Sequence, residues 1–544
     1  MPDVARSRPG IDPVVLWTAA AVSAAFVMWG IIATQNLSDV TTTAKEFLIA
    51  SFGWVFVLAS IGFVILAAYL ALSRYGRIKL GPDGEKPEFS TVSWVAMMFS
   101  AGMGIGLMFW GAAEPLAHLG APPLGLAEKN TKDSAQLAME YSFFHWGFHP
   151  WAMYAVVGLA LAYFCFRKGK ANLISTAFLP LMGKRAEGGP GKAIDIFAIF
   201  ATLFGSATSL GLGALQINSG LNDLWDVPKS TGLAILIIAV LTVCFVISAV
   251  TGVHKGIQFL SNTNMVLAVL LLAFLFVVGP TVFILNTFTE SLGGYFFEFT
   301  PMSSRAGAFG GADWLSGWTI FYWAWWISWT PFVGTFIARI SRGRTIREFV
   351  VGVVLVPSLV SFIWFSILGG AAISQQLGGT DVSEGGEAPP EAALFNVLRQ
   401  YPLFTLSAIV VIILVALFFV SGADAGSVVM GTLSSRGALE PSNSVVILWG
   451  VLTGAVAAVL LYAGGENALL ALQTLTIIAA LPFLFVMVGV CWGLMRELRQ
   501  EPAFAAASPS DVDIAGRIPN VRSSATTEEK TEVATKESES KADA

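Results

Sequence analysis

Residues 323–329 read Trp323-Ala324-Trp325-Trp326-Ile327-Ser328-Trp329. A second aromatic cluster, His145-Trp146-Gly147-Phe148-His149-Pro150-Trp151-Ala152-Met153-Tyr154, lies well upstream. On one continuous helix, Trp146, Trp151 and Tyr154 would fall within an arc of about 140°. Tyr322, Trp325, Trp326 and Trp329 would form a second aromatic face. Each ring face attracts a cation by about 0.5–2 kcal/mol. A quaternary ammonium has no N–H to donate, so rings can hold it where ordinary hydrogen bonds cannot. Neither face carries a carboxylate, which would bind a sodium ion or a primary amine as readily. The pattern therefore favours a methylated cation. Single tryptophans at a membrane interface are ordinary, and Trp314 and Trp318 read that way. Four tryptophans in seven residues beside a proline do not.

These clusters must be positioned by elements that the composition describes. The chain has 544 residues, 55% of them apolar and only 12% charged, against about 25% charged in soluble domains. Twelve apolar runs follow one another, near 14–35, 50–72, 92–112, 141–166, 194–217, 231–250, 264–287, 315–338, 349–373, 403–424, 444–463 and 467–495. A helix crosses the hydrocarbon in about 20 residues, and backbone in lipid must satisfy its own hydrogen bonds. The expectation is an all-α membrane protein with 12 transmembrane helices. Two runs carry helix breakers: Gly102-Met103-Gly104-Ile105-Gly106 in the third, and Pro331 with Gly334 in the eighth. Unwound backbone inside a bilayer is tolerated where it lines a cavity, and paired interrupted segments mark transporter sites. Helices 3–7 and 8–12 are therefore expected to be two five-helix repeats, each opening on a broken helix. The competing reading is close helix packing through small residues. A phosphate-binding reading of the glycines lacks a strand–turn–helix context.

Charge sets the topology. Arg6 and Arg8 precede the first run, and Arg74, Arg77, Lys79 and Lys86 follow the second. Arg167, Lys168, Lys170, Lys184, Arg185 and Lys192 lie between the fourth and fifth, and Arg339, Arg342, Arg344 and Arg347 between the eighth and ninth. Segment 381–391 is acidic, with Asp381, Glu384, Glu387 and Glu391. The positive-inside rule puts both termini in the cytoplasm. The expected divisions are a cytoplasmic N-terminus (1–13), two N-terminal helices (14–90), a first repeat (91–288), a second repeat (289–500) and a disordered cytoplasmic tail (501–544). From residue 511 the tail holds eight acidic and five basic residues, so it does not read as a basic sensing helix. Cys165, Cys244 and Cys491 sit in apolar runs and read as packing. The first run has full spanning length and no clear cleavage site, so it reads as a retained helix. No nucleophile–base constellation, metal cluster or nucleic-acid motif is present; the chain reads as neither an enzyme nor a nucleic-acid partner. Glu114 and Asp424 are the notable intramembrane carboxylates, functional candidates by default.

Across about residues 12–500 the sequence resembles the betaine/carnitine/choline transporters, most densely at Met98–Pro115, His145–Tyr154 and Tyr322–Pro357. The resemblance implies a LeuT-like 5+5 inverted repeat over helices 3–12 with two extra N-terminal helices, in a homotrimer in a bacterial cytoplasmic membrane. It implies that Trp146, Trp151, Tyr154 and Trp326 box a trimethylammonium group, with Trp325 and Trp329 on the permeation path. Met103, Gly104 and Gly106 look like the stretch of sodium-coupled betaine carriers; proton-coupled choline carriers tend to have Asp at the position of Gly106. One implied sodium site comprises Ser100, Met103, Phe418 and Ser421, the other Thr202, Ser206 and Phe332. Thr202 and Ser206 are four apart and share a helix face, and oxygen ligands suit a hard cation. One departure is Gly422, where the family often has a hydroxyl. The expected function is Na⁺-coupled uptake of glycine betaine or a similar quaternary-ammonium solute, with no organic cofactor. The alternatives are a proton-coupled or exchange carrier for choline or carnitine, and a carrier of ectoine or a sulfonium solute.

Overall fold

The computed structural model describes residues 10–501, except Met103, 252–253 and 387–388, and except the side chains of 99–102, 250–251, 254–261 and 386. Arg6, Arg8, Met103, the Ser100 side chain, Glu387 and the tail from 502 thus lie outside the described residues. Residues Met1–Arg496 form one unit, and a second begins at Glu497. Among the described residues there is no strand, only an isolated bridge between Lys79 and Thr345.

Asp12 caps α1 (Pro13–Ile32), accepting from the amides of Val14 and Val15. The 39-residue α2 (Thr34–Leu72) follows. The third apolar run is divided, as its glycines lead one to expect, into α3 (Thr91–Gly102) and α4 (Ile105–Gly120). Gly104 is extended (φ −168°, ψ −177°) and leaves the first amides of α4 without a side-chain cap.

The fourth run is also divided, which the aromatic periodicity does not foresee. It forms α5 (Lys132–Trp146) and α6 (Phe148–Ala162), parted at Gly147. Pro150 lacks the amide that would continue the helical ladder across this point. A Cβ on Gly147 would stand 2.5 Å from the Phe143 carbonyl and 2.9 Å from Phe362. Trp146 therefore ends one helix, and Trp151 and Tyr154 lie on the next.

A single turn, α7 (Leu179–Met182), leads to α8 (Gly189–Trp225), α9 (Thr231–Thr251) and α10 (His254–Val278). Gly279 and Pro280 then turn the chain by 108° into α11 (Thr281–Ser304). After one turn, α12 (Ala312–Leu315), the chain enters α13 (Phe321–Arg339). Here the expected second break is corrected: α13 runs unbroken through Pro331. Thr330 donates to the Trp326 carbonyl at 2.8 Å and Thr335 to the Pro331 carbonyl at 2.7 Å. Gly334 packs against α6; its Cβ would lie 3.2 Å from the Gly158 amide nitrogen. Small-residue packing explains this segment. The remaining helices are α14 (Ile346–Leu377), α15 (Pro390–Arg399), α16 (Phe404–Ser434), α17 (Asn443–Gly464) and α18 (Ala468–Arg499).

Eight described helical stretches are long and apolar enough to cross a membrane, nine if the bent pair α10–α11 counts as one. Twelve are expected from the apolar runs. The divided α3 and α4, of 12 and 16 residues, are shorter than the span of about 20 that a membrane requires. In the most apolar 18-residue stretch of the segment containing α5 and α6, 89% of residues are buried, against 22% in that of α9. The site helices are thus central, and α9 faces outward.

Three basic loops meet on one face. Leu80 and Arg344 pair by backbone at 2.8 Å, and Gly343 donates back to Leu80 at 2.9 Å. Arg167 reaches Asp83 at 2.7 Å, and Arg342 reaches Glu85 at 2.8 Å. The guanidinium of Arg344 lies 4.0 Å from the centre of the Trp94 ring.

Candidate functional site

The break before α4 and the aromatic faces of α5, α6 and α13 enclose one cavity. Its lining includes Gly104, Gly106, Trp146, Trp151, Tyr154, Trp325, Trp326 and Trp329. Every residue expected at the substrate site therefore surrounds one space, apart from Met103, which is outside the described residues. Trp325 and Trp326 are stacked, with centroids 4.8 Å apart and planes at 12°. Trp146 stands edge-on to Trp326 at 4.8 Å and to Trp325 at 6.0 Å. Trp151 and Tyr154 meet edge-to-face at 5.3 Å, and Tyr154 reaches Trp326 at 6.4 Å. Ring edges and faces at right angles are the preferred aromatic geometry. A Cβ on Gly106 would lie 2.8 Å from Trp325 and 2.9 Å from Trp146. Glycine at this position is what lets the two indoles converge.

Polar anchors fix these rings. The Trp326 indole donates to the His145 carbonyl at 2.9 Å, and Trp329 donates to the Gly205 carbonyl at 2.9 Å. Trp146 donates to Glu114 at 2.8 Å and Tyr322 at 2.5 Å. His145 and His118 also face Glu114, at 2.7 and 3.3 Å. The carboxylate missing from the aromatic faces thus stands behind them, fully buried. The ligand-capable atoms of Glu114, His118 and His145 lie within 4.8 Å of one another. Both oxygens of Glu114 already face two partners each, so the carboxylate has no acceptor site left for a metal ion. His149 instead stacks on Trp323 at 4.9 Å and 17°, which gives that tryptophan a packing role.

A second cavity shares the Gly104 and Trp329 wall. Ser206, Ser209, Asn264, Phe332, Phe418, Ser421 and Gly422 line it. Four of the expected sodium-site residues, Ser206, Phe332, Phe418 and Ser421, thus open on one space. The Ser421 hydroxyl donates to the Phe418 carbonyl at 3.3 Å. Thr202 does not line the cavity; it is fully buried and donates to the Ala198 carbonyl at 2.9 Å. Sequence reasoning missed Asn264. Its Oδ1 is buried with no hydrogen-bond partner among the described residues. A polar amide at the start of an otherwise apolar run was the available signal. A Cβ on Gly422 would meet nothing within 4 Å.

The profile of the betaine/carnitine/choline family transporters matches residues 14–503. The chain belongs to that family. It is a multi-pass membrane transporter and not an enzyme. Among relatives within the betaine/carnitine/choline family, it is 49% identical to the glycine betaine transporter OpuD of Bacillus subtilis, across 90% of this chain and 94% of that one. It is 46% identical to a probable glycine betaine transporter of Desulfitobacterium hafniense, across 90% and 97%. It is 42% identical to an ectoine/hydroxyectoine transporter of Virgibacillus pantothenticus, across 89% and 96%.

Proposed function

We propose that this family member takes up glycine betaine, or a similar quaternary-ammonium solute, together with sodium. One observation carries the reading: the lining of the first cavity combines aromatic rings with the uncapped N-terminus of a helix. The indole and phenol rings suit a trimethylammonium group. Gly104 and the uncapped N-terminus of α4 belong to the same lining. Free amides and the positive end of a helix dipole suit a carboxylate. A zwitterion matches both. The names of the 49% and 46% identical relatives support the same substrate.

Sodium enters this reading as a co-transported ion. Ser206, Ser421, Phe418 and Asn264 line the second cavity and can offer oxygen ligands; the family resemblance adds Phe332 on the same lining, Met103 and Ser100, and Thr202, which lies off it. Betaine has no net charge, so the membrane potential acts on sodium alone, at about 2.3 kcal/mol per ion per 100 mV. A tenfold gradient adds about 1.4 kcal/mol per ion. Two ions thus support roughly 10⁵-fold accumulation, and one ion roughly 10²- to 10³-fold. Alternating access proceeds by rocking of the bundle that contains α3 and α4 against the rest of a LeuT-like 5+5 scaffold, with repeats over 91–288 and 289–500 in a homotrimer. The shared face of the three basic loops supports cytoplasmic termini in a bacterial inner membrane.

The test is radiolabelled betaine uptake into proteoliposomes with and without an imposed sodium gradient. Uphill uptake only with the gradient is expected. Equal uptake without sodium would overturn the coupling, and failure of excess betaine to compete would overturn the substrate. A second reading, ectoine transport, is favoured by the 42% identity to the ectoine/hydroxyectoine transporter; competition by ectoine in the same assay separates the two.

A further inference from the structure

We propose that Glu114 is a positioning residue of the cage, and that it supplies a fixed negative charge sensed through the rings by the cationic headgroup. The inference rests on the quaternary-ammonium reading above and deepens it.

The hydrogen-bond complement defines the state of this carboxyl. Oε1 faces Nδ1 of His145 at 2.7 Å and Nε2 of His118 at 3.3 Å. Oε2 accepts from the Trp146 indole at 2.8 Å and the Tyr322 hydroxyl at 2.5 Å. An ionised carboxylate has about four acceptor sites, and all are used. The Trp146 indole can only donate, so Oε2 is an acceptor, and a carboxylate lets Tyr322 and both histidines donate as well. Each histidine then carries its proton on the nitrogen facing Glu114. Nδ1 of His118 has no partner among the described residues, and Nε2 of His145 meets the Thr319 hydroxyl at 3.0 Å. The proposed fixed charge is that of the Glu114 carboxylate.

The same carboxylate organises the cage wall. Trp146 is a cage ring and donates to it directly. Tyr322 also donates, and stacks on Trp326 at 5.8 Å and 24°. Trp326 is tied to the carbonyl of His145, which itself faces Glu114. One side chain on α4 therefore holds groups from α5 and α13.

Electrostatics gives this arrangement its function. An N–H or O–H that donates to an anion passes electron density into its ring, and hydrogen-bonded groups polarise one another in a low-dielectric site. The ring face becomes more attractive to a cation, and the buried charge adds a direct Coulomb attraction. Glu114 is fully buried, with 0% exposure. A sodium ion or a primary amine needs direct contact with oxygen, and the rings deny it. The field acts on any cation in the cage, but a methylated cation gives up less hydration there than a sodium ion or a primary amine, so it gains most.

The experiment compares full-length wild-type protein with Glu114→Gln, Glu114→Asp and Tyr322→Phe in proteoliposomes. Glycine betaine and 3,3-dimethylbutanoate, in which an uncharged tert-butyl group replaces trimethylammonium, compete against radiolabelled betaine. Glu114→Gln is expected to reduce the preference for betaine over the uncharged isostere by about tenfold. Affinity for the isostere should stay within about threefold, and Glu114→Asp should restore part of the preference. Tyr322→Phe keeps its ring but loses one donor, and should raise KM for betaine about threefold with Vmax within about twofold. An unchanged preference in Glu114→Gln overturns the proposal. Equal loss of both ligands shows a purely structural residue and also overturns it. Should Glu114→Gln fail to fold, Tyr322→Phe decides: unchanged KM and preference refute the electrostatic role. Wild-type protein that ignores betaine would sink the underlying substrate reading, a result distinct from wild-type binding with unaltered variants.

Discussion

A Cβ on Gly106 would stand 2.9 Å from Cη2 of Trp146. Trp325 closes the same gap from the other side, at 2.8 Å. Gly106→Ala must therefore displace at least one indole, and overpacking of this kind costs about 1–3 kcal/mol. The expected result is a rise in betaine KM of about tenfold, with little change in the sodium concentration for half-maximal uptake. Gly106→Asp should be more damaging to betaine, because it adds a carboxylate as well as bulk. Uptake kinetics at saturating sodium provide the measurement.

Trp326 lines the cavity and is fixed through its indole N–H. Trp326→Ala removes a cation–π contact of about 0.5–2 kcal/mol together with buried aromatic area. Betaine KM should rise by about 10- to 100-fold. Trp326→Phe keeps a ring and loses the bond to the His145 carbonyl, so its KM should fall between wild type and alanine.

The second cavity yields the opposite kind of variant. Open space around Gly422 accommodates a side chain, and Gly422→Ser restores a hydroxyl beside Ser421. Under the symport reading, half-saturating sodium should decrease by about two- to fivefold. Asn264→Ala and Ser206→Ala should each increase it. Sodium titrations of betaine uptake distinguish these outcomes, and no shift in any of the three would remove this cavity from the coupling mechanism.

Arg344 joins two basic loops by donating to the Phe89 carbonyl at 3.0 Å while covering the Trp94 ring. Arg344→Ala should destabilise the detergent-solubilised protein by about 1–2 kcal/mol. Lysine retains the charge but loses the planar fork, so Arg344→Lys should recover only part of the loss. A lowered Tm for both, larger for alanine, is the expected readout.

The sequence made some of this legible and hid the rest for identifiable reasons. The division at Gly104 was readable because three alternating glycines weaken a helix whatever surrounds them. Pro331 was misread because its tolerance depends on tertiary surroundings: Thr330 and Thr335 bonding within α13, and Gly334 against Gly158. The cage residues were recognisable as a type, yet their assumed common helix face was not real. Gly147 breaks the helix, and the rings converge from α5 and α6 instead. The Glu114 network lay beyond periodicity altogether, since it requires residues 31 and 208 positions apart to meet. The seventh apolar run, 264–287, was expected as one helix, but Gly279 and Pro280 divide it between α10 and α11, since a proline and a glycine together weaken the helical ladder.

Trp329 borders both cavities, with its indole anchored to α8. If one cavity takes betaine and the other sodium, a single side chain senses both occupancies. Linkage then imposes reciprocity: the factor by which sodium tightens betaine must equal the factor by which betaine tightens sodium. Replacing Trp329 should shrink both factors together, even where the intrinsic affinities change unequally. The thermodynamic stoichiometry of the carrier would survive such a change only as long as leak through the partition stays slow, so the same indole sets both the strength of cooperativity and the efficiency of energy conversion.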